Sequence, residues 1–275
     1  MKPISELHNF QGRIFVMSGG TGVLGKTIVQ SLLAWGATVA LLSRKKERAS
    51  QLFQDLHADA SKALAVECDV LDMEGLKASL GTVLKTFGQI DGLINGAGGN
   101  DPRATTNPQQ PFFQLPEEAL RSVMDLNLLG TILPCQVYGK YFADRKEGVI
   151  LNISSMSAVH PLTRVVGYSA AKAAVSNFTQ WLAVHMAQEY SPNIRVNAMA
   201  PGFFLTEQNR FLLTDRETGA LTERGRKIID HTPLGRFGEP EDLVTTLAWL
   251  LSPGSKFVTG IVVPVDGGFS ASFGV

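Results

Sequence analysis

The segment YSAAK, Tyr168 to Lys172, sets a phenol and an ammonium four residues apart. On a helix, that spacing projects both side chains from one face. A lysine cation beside a phenol favours phenolate and lowers the tyrosine pKa from its reference value of about 10. Tyr168 would then serve as an acid or base nearer neutral pH, as hydride exchange at a carbonyl or alcohol requires. The same spacing also arises by chance on exposed helices, so its surroundings decide. NISSMS ends an apolar run and places Ser155 thirteen residues ahead of Tyr168, with Ser154 and Ser157 as rival hydroxyls. Asn127 stands among leucines in DLNLLG, where a polar side chain needs a reason.

A second stretch able to do chemistry is FVMSGGTGVLG, residues 15–25. Read from Gly20 it matches G-x-G-x-x-G. An apolar run leads into it and an amphipathic pattern begins at Leu24, so its glycines fall at a strand-to-helix turn. There, backbone N–H groups and the positive helix end can face a pyrophosphate. Gly19 and Gly22 are expected to supply positive φ or a close backbone approach, and Gly25 tight helix–strand packing. Further on, LLSRKKE carries Ser43 and Arg44 where an acid would bind the adenine ribose hydroxyls and favour NAD. Ser43 can donate to a 2′-phosphate and Arg44 can pair with it. NADP is therefore expected over NAD, against the plainer reading of Lys45 and Lys46 as a solvated helix start.

These groups need a scaffold. Short β-branched runs at Arg13–Met17, Thr38–Leu42, Ala63–Glu67, Gly92–Asn95, Gly148–Ile153, Ile194–Met199 and Val262–Val265 read as strands. Helical patterns fill Leu24–Trp35, Lys45–Asp59, Leu71–Thr86, Glu117–Arg145, Tyr168–Glu189 and Pro240–Leu251. Apolar strands alternating with helices predict an α/β fold: a single Rossmann-type domain over residues 1–275, with a doubly wound seven-stranded parallel sheet and helices on both faces. Two long segments break the rhythm. Gly98–Pro116 is a polar loop, and Gly202–Glu239 reads as short helices without a strand. Long loops in a compact domain are usually functional, so residues 202–239 are expected to form a substrate lid.

Composition narrows the function class. Twenty-five basic residues balance 25 acidic ones, so bulk charge gives no reason to expect nucleic acid or anionic membrane. Cys68 and Cys135 form neither a metal pattern nor a disulfide framework. The opening MKPISELHNFQG lacks the apolar core of a signal peptide, and no apolar run approaches the ~18 residues of a membrane span. A cytoplasmic protein is expected. The helix from Tyr168, with Ala170, Ala171, Ala173 and Ala174 followed by Phe178, Trp181, Leu182 and Met186, is apolar nearly all round. Such a helix must be covered on more than one side, and a second copy of the chain is expected to supply part of that cover.

Taken together, these motifs resemble the short-chain dehydrogenase/reductase family over nearly the whole chain. The resemblance implies a catalytic tetrad of Asn127, Ser155, Tyr168 and Lys172, the thirteen-residue spacing selecting Ser155 over its neighbours. Tyr168 would donate the proton and Ser155 hold the carbonyl oxygen. Lys172 would bind the nicotinamide ribose and lower the Tyr168 pKa, while Asn127 supports a proton-relay water. Around the dinucleotide it implies Ser18, Gly19, Thr21, Gly22, Val23, Leu24 and Gly25 at the turn, with Ser43 and Arg44 beyond the second strand. Asp69 and Val70 would meet the adenine, Asn95, Gly96 and Ala97 close the loop after the fourth strand, and Pro201, Gly202 and Thr206 lie by the nicotinamide. The family forms dimers and tetramers. Val23 departs from its pattern by standing where a glycine is usual, and Gly22 is expected to take over that conformational role. Gly98, Gly99 and Asn100 suggest a more open loop.

Both long loops, with GGNDPRATT, APGFFLTEQNR and HTPLGRFGEPEDL, are similar to the D-mannonate oxidoreductase (fructuronate reductase) branch, which interconverts D-fructuronate and D-mannonate. A sugar acid needs a cation for its carboxylate and polar groups for its hydroxyls. Asn100, Arg103, Thr105, Thr106, His160, Arg164, Gln208, Asn209 and Arg210 are candidates, the three arginines for the carboxylate. The alternatives are a dehydrogenase of another polyol or aldonate such as gluconate, and a non-catalytic NAD(P)-binding redox sensor.

Overall fold

Runs rich in Val, Ile and Leu, with no polar alternation, form strands only where both sheet faces are covered. The computed structural model, which describes residues 3–205, 210–215 and 218–272, has seven such strands. They are β1 (Ile14–Ser18), β2 (Thr38–Ser43), β3 (Ala63–Glu67), β4 (Gly92–Asn95), β5 (Gly148–Ile153), β6 (Ile194–Pro201) and β7 (Val262–Val265). All pair in parallel, in the order β3-β2-β1-β4-β5-β6-β7. The order reverses between β1 and β4, the switch point at which such sheets open a crevice at their carboxyl ends.

Ten helices connect or flank the strands among the described residues: α1 (Ile4–Leu7), α2 (Val23–Ala34), α3 (Lys46–Asp55), α4 (Met73–Phe87), α5 (Glu117–Met124), α6 (Gly130–Arg145), α7 (Val166–His185), α8 (Arg210–Leu213), α9 (Glu223–Asp230) and α10 (Val244–Leu251). Alternate strand residues feed two cores. Val16, Leu42, Leu93 and Ile150 pack with Leu76, Tyr138, Phe142 and Leu182 under α4, α6 and α7. Phe15, Met17, Leu41 and Ile94 pack with Ile28, Leu32, Phe53 and Leu250 under α2, α3 and α10. Cys68 and Cys135 are buried thiols, and desolvation pushes Cys135 up to about 12. No helix among the described residues is long and apolar enough to cross a membrane. On α7, Trp181 and Val184 stay exposed.

The strand expectations hold to within two residues at each end, whereas several helix expectations do not: α3 ends at Asp55 and not Asp59, α7 ends at His185 and α10 begins at Val244. Glu117–Arg145 is interrupted by a wide π-type turn at Asp125–Leu129, separating α5 from α6. Asn127 is fully buried there, and its amide donates to the Val123 carbonyl at 2.8 Å. Such widened turns recur at functional sites. A second widened turn, Met186–Tyr190, follows α7. Within 202–239 the described residues form α8 and α9 and no strand, joined by an isolated bridge between Thr214 and Leu221.

The carboxyl end of α10 leaves carbonyls that need donors. Arg195, only 8% exposed on β6, donates to Leu250 O at 3.0 Å, Ser252 O at 3.1 Å and Val258 O at 3.3 Å. Arg13 donates to Leu251 O at 2.8 Å. A cation is also favoured at this negative helix end, although burial pulls the Arg195 pKa down to about 10. Arg195→Ala removes one of the donors from each of three carbonyls, which keep Ser255 and Asn197 as partners, and should destabilise the fold by ~1–3 kcal/mol. Urea unfolding measures it; an unchanged midpoint would contradict this account.

Candidate active site

The turn after β1 must bring the backbone close to its neighbours, and glycine permits it. Gly19 has φ +74°, and a Cβ there would lie 2.2 Å from the Gly96 carbonyl carbon and oxygen. At Gly25 a Cβ would meet Gly19 O at 2.2 Å and Gly20 Cα at 2.7 Å, so α2 is held against the turn. Ser18 is buried and supports the opposite loop, accepting from Ala97 N at 3.2 Å. Gly22 differs from expectation. Its φ of −78° and ψ of 169° are those of an ordinary extended N-cap, and its Cβ would have 3.4 Å of room. The turn reverses at Gly19, three residues earlier, so Gly22 carries no left-handed conformation. Thr21 is exposed on the turn, and Val23 and Leu24 open α2. No side chain caps α2 and its first turn holds no acid. The N–H groups of this helix end are therefore suited to an anion, as a pyrophosphate requires.

Four groups converge beside this turn at the carboxyl ends of β4 and β5. α7 carries Tyr168 and Lys172, and the Lys172 ammonium lies 5.6 Å from the centre of the Tyr168 ring. Lys172 Nζ donates to Ile153 O at 2.8 Å. Of the three serines after β5, Ser155 is the one whose hydroxyl acts on the Tyr168 phenol, lowering its pKa. Ser154 is spent on Lys172 O at 3.1 Å and Ser176 Oγ at 2.7 Å, while the buried Ser157 donates its N–H to Ser155 Oγ at 3.1 Å. Asn127 grips the loop after β4: its Nδ2 donates to Gly99 O at 2.7 Å and its Oδ1 accepts from Gly99 N at 3.1 Å. A Cβ on Gly98 would lie 2.6 Å from Asn127 Oδ1 and 3.2 Å from Lys172 Nζ, so only a glycine fits between the loop and these two groups.

The electrostatics correct the sequence expectation. Burial pushes the Tyr168 pKa up, and the Ser155 hydrogen bond only partly offsets it. Lys172 is itself pulled down to about 8 by desolvation. The ammonium sits over the ring with its hydrogen bond directed at a carbonyl, so desolvation outweighs its attraction for phenolate. Tyr168 is thus held as the neutral phenol.

The other candidates divide clearly. Asn95 is buried, its amide donating to Asn152 Oδ1 at 2.9 Å and Cys135 Sγ at 3.1 Å, so its side chain braces the strands and does not face the cleft. Gly96 approaches Ser18 O, Pro201 ends β6, and Gly202 N bonds Val265 O at 2.9 Å. At the adenine end, Ser43 Oγ donates to Lys45 O at 2.9 Å, which leaves its hydroxyl proton engaged. Arg44 and Asp69 line one cavity there, and Val70 is buried next to it against Gly130.

Among the substrate candidates, Arg103 is already paired: its Nη2 bonds Asp101 Oδ2 at 2.8 Å, with Glu118 at 3.9 Å. A bidentate carboxylate two residues away competes with any substrate carboxylate for this arginine. Asn100 bonds Thr105 at 2.6 Å within the same loop, and Thr106 N bonds Arg164 O at 2.9 Å, joining the two loops. His160 bonds Ser270 O at 2.8 Å, and His185 stacks on Trp181. Arg164 and Arg210 are exposed and make no ion pair among the described residues. Thr206, Gln208 and Asn209 lie outside those residues. Sequence reading passed over Arg224, on α9, whose pKa is lowered by burial and by nearby Arg164. Its only signal was a charged stretch, which normally marks a solvated face.

Comparison with known proteins agrees with this geometry. A family model described as enoyl-(acyl carrier protein) reductase matches residues 21–270. An oxidoreductase of Bacillus subtilis (strain 168) named UxuB, itself uncharacterized, is 45% identical over the full length of both chains. A Haemophilus structure with bound NAD, provisionally named a D-mannonate oxidoreductase, is 42% identical with a TM-score of 0.91, covering 99% of this chain and 100% of its own. A gluconate 5-dehydrogenase of Burkholderia cenocepacia J2315, in complex with NADP and tartrate, is 27% identical with a TM-score of 0.84, covering 98% and 100%. With the uncapped turn for a dinucleotide and Ser155 on the Tyr168 phenol, the chain belongs to the short-chain dehydrogenase/reductase family, whose members are NAD(P)-dependent oxidoreductases.

Proposed function

We propose that this protein reduces D-fructuronate to D-mannonate, and runs the reverse, with Ser155, Tyr168 and Lys172 as its catalytic residues. The observation that carries the chemistry is the placing of the Lys172 ammonium 5.6 Å from the Tyr168 ring, with Ser155 near enough to the phenol to lower its pKa. The choice of sugar acid is supported by the likeness to the Haemophilus structure provisionally named a D-mannonate oxidoreductase. The likeness to a gluconate 5-dehydrogenase favours gluconate and its keto form as the second reading.

The residues divide the work. The Ser155 and Tyr168 hydroxyls donate to the substrate carbonyl oxygen and polarise it. A nicotinamide, when bound, supplies the hydride for that carbon. Tyr168 gives its proton to the alkoxide as it forms, a role for which a phenol kept neutral by burial is ready. Lys172 lies close enough to stabilise the phenolate left behind. Asn127 positions Gly99 and through it the wall next to Lys172, and with its amide so engaged it acts as a positioning residue. Arg164 with Arg224 offers the substrate carboxylate two guanidinium groups without competing acids among the described residues, and α8 and α9 form the cover over that end. Arg44 is the remaining support for an NADP preference, since Ser43 is engaged.

Initial rates with fructuronate and each reduced cofactor test the reading, and no cofactor oxidation would sink it. Tyr168→Phe should lower kcat by ~10²–10⁴ while dinucleotide binding persists; loss of binding instead would mean the tyrosine is structural. Replacing Arg164 or Arg224 with Ala should raise KM for the sugar acid ~10–100-fold, with little change for a ketose lacking a carboxylate. An equal loss on both substrates would argue against a carboxylate contact.

Lys172 adds a pH signature. Its folded pKa of about 8 lies below the ordinary 10.5, so the protonated form is disfavoured in the folded chain. The resulting destabilisation is fully present below pH ~8 and fades as pH rises toward 10.5. Lys172→Met should therefore abolish turnover yet raise stability at pH 7 by roughly 1–3 kcal/mol. That gain should shrink in denaturation curves taken at pH 9; a destabilised variant at pH 7 would count against the assignment.

A further inference from the structure

The end of β2, LLSRKKE, has no acid at the strand end to hold the adenine ribose hydroxyls, Glu47 lying beyond it in the first turn of α3. The sheet brings one from the adjacent strand. β2 and β3 pair in parallel with Ser43 opposite Glu67. Neighbouring strands lie about 4.8 Å apart, within reach of a glutamate side chain. Arg44, Glu67, Cys68, Asp69, Asp72 and Gly75 line one cavity of about 470 Å³ at this corner of the sheet.

The three carboxylates there are not equivalent. Asp69 accepts from Leu71 N at 3.0 Å, and Asp72 caps α4 by accepting from Glu74 N at 3.1 Å. Glu67 is exposed and has no hydrogen-bond or ion-pair partner among the described residues. Arg44 likewise makes no ion pair with any of them. The cavity therefore presents one guanidinium against three carboxylates, with Glu67 the unengaged one.

We infer that Glu67 sets the dinucleotide preference of the cleft: from β3 it accepts the paired hydroxyls of an unphosphorylated adenosine ribose and repels a 2′-phosphate that Arg44 by itself would attract. A vicinal diol offers two O–H donors, and an ionised carboxylate offers only acceptors, so the two match. A phosphate has no such donors to give and carries close to two negative charges at neutral pH. It would meet Arg44 on one side and the excess of carboxylates on the other. The hydroxyl of Ser43, the second group expected to hold a phosphate, already donates to Lys45 O. The balance thus tilts to NAD, opposite to the preference read from the β2 end alone.

This inference rests on the cleft being an NAD(P) site, and not on which sugar acid is reduced. Dissociation constants for NADH and NADPH, measured by cofactor fluorescence on the whole protein without substrate, test it directly. The wild type should bind NADH at least about tenfold more tightly. Glu67→Gln, at an exposed position, should narrow that ratio by about tenfold, equivalent to ~1.4 kcal/mol. Arg44→Ala should weaken NADPH in the Glu67→Gln background more than NADH. Tighter NADPH than NADH binding in the wild type, or a ratio unmoved by Glu67→Gln, would overturn the inference. Binding of neither cofactor would overturn it together with the cofactor reading, whereas inactivity toward fructuronate would leave the binding ratio standing as its test.

Discussion

The site depends on one steric constraint: the backbone at Gly19 passes so close to Gly96 that no side-chain carbon fits between them. β1 and β4 are adjacent in the sheet but diverge in their onward connections, and their loops part at this point. Gly19 lets the first loop turn at once into α2, while Gly96 and Ala97 anchor the second loop on Ser18. The second loop then runs on through Gly98 and Gly99 to Asn127 and Lys172. Phosphate turn and acid–base group are therefore held together by a short backbone path, with little freedom to move separately.

Buried polar groups maintain that path, and their hydrogen bonds make the burial tolerable. Asn95, Asn152 and Thr179 form a continuous chain from β4 through β5 to α7. Asn127 closes a second connection from the widened turn between α5 and α6 to Gly99. A regular helix over 117–145 would have given Asn127 a different angular position, so the distortion and the loop contact belong to one device. Lys172 is the exception, a buried cation with only a carbonyl partner, which weakens the fold while serving the chemistry. Such a conflict between local stability and local arrangement is what a working site looks like.

Much of this was readable along the chain. The strands followed from apolar runs a few residues long, and Tyr168 with Lys172 from the geometry of one helical turn. Gly19 and Gly25 followed from their place between a strand and a helix. What these have in common is short range: neighbours within a few residues fix them, so period and spacing carry the information. The widened turn at Asn127 was not readable, because one residue too many in a helical turn leaves the hydrophobic pattern almost unchanged. Nor was the engagement of Arg103, since nothing in a charge pattern says whether Asp101 folds back onto it.

Taken by itself, the sequence determined the α/β class, the order of elements, the dinucleotide turn and the identity of the acid–base pair. Only the tertiary structure decided which groups share an environment. It engaged Ser154 with Lys172 O and Ser176, which supports the Ser155 that the spacing had selected, because α7 packs against the end of β5. It raised the Tyr168 pKa where the helix alone implied a lowered one, because desolvation depends on everything packed around a group and not on its nearest charge. And it placed Glu67 opposite Ser43, because parallel pairing joins residues 24 positions apart that no local pattern connects.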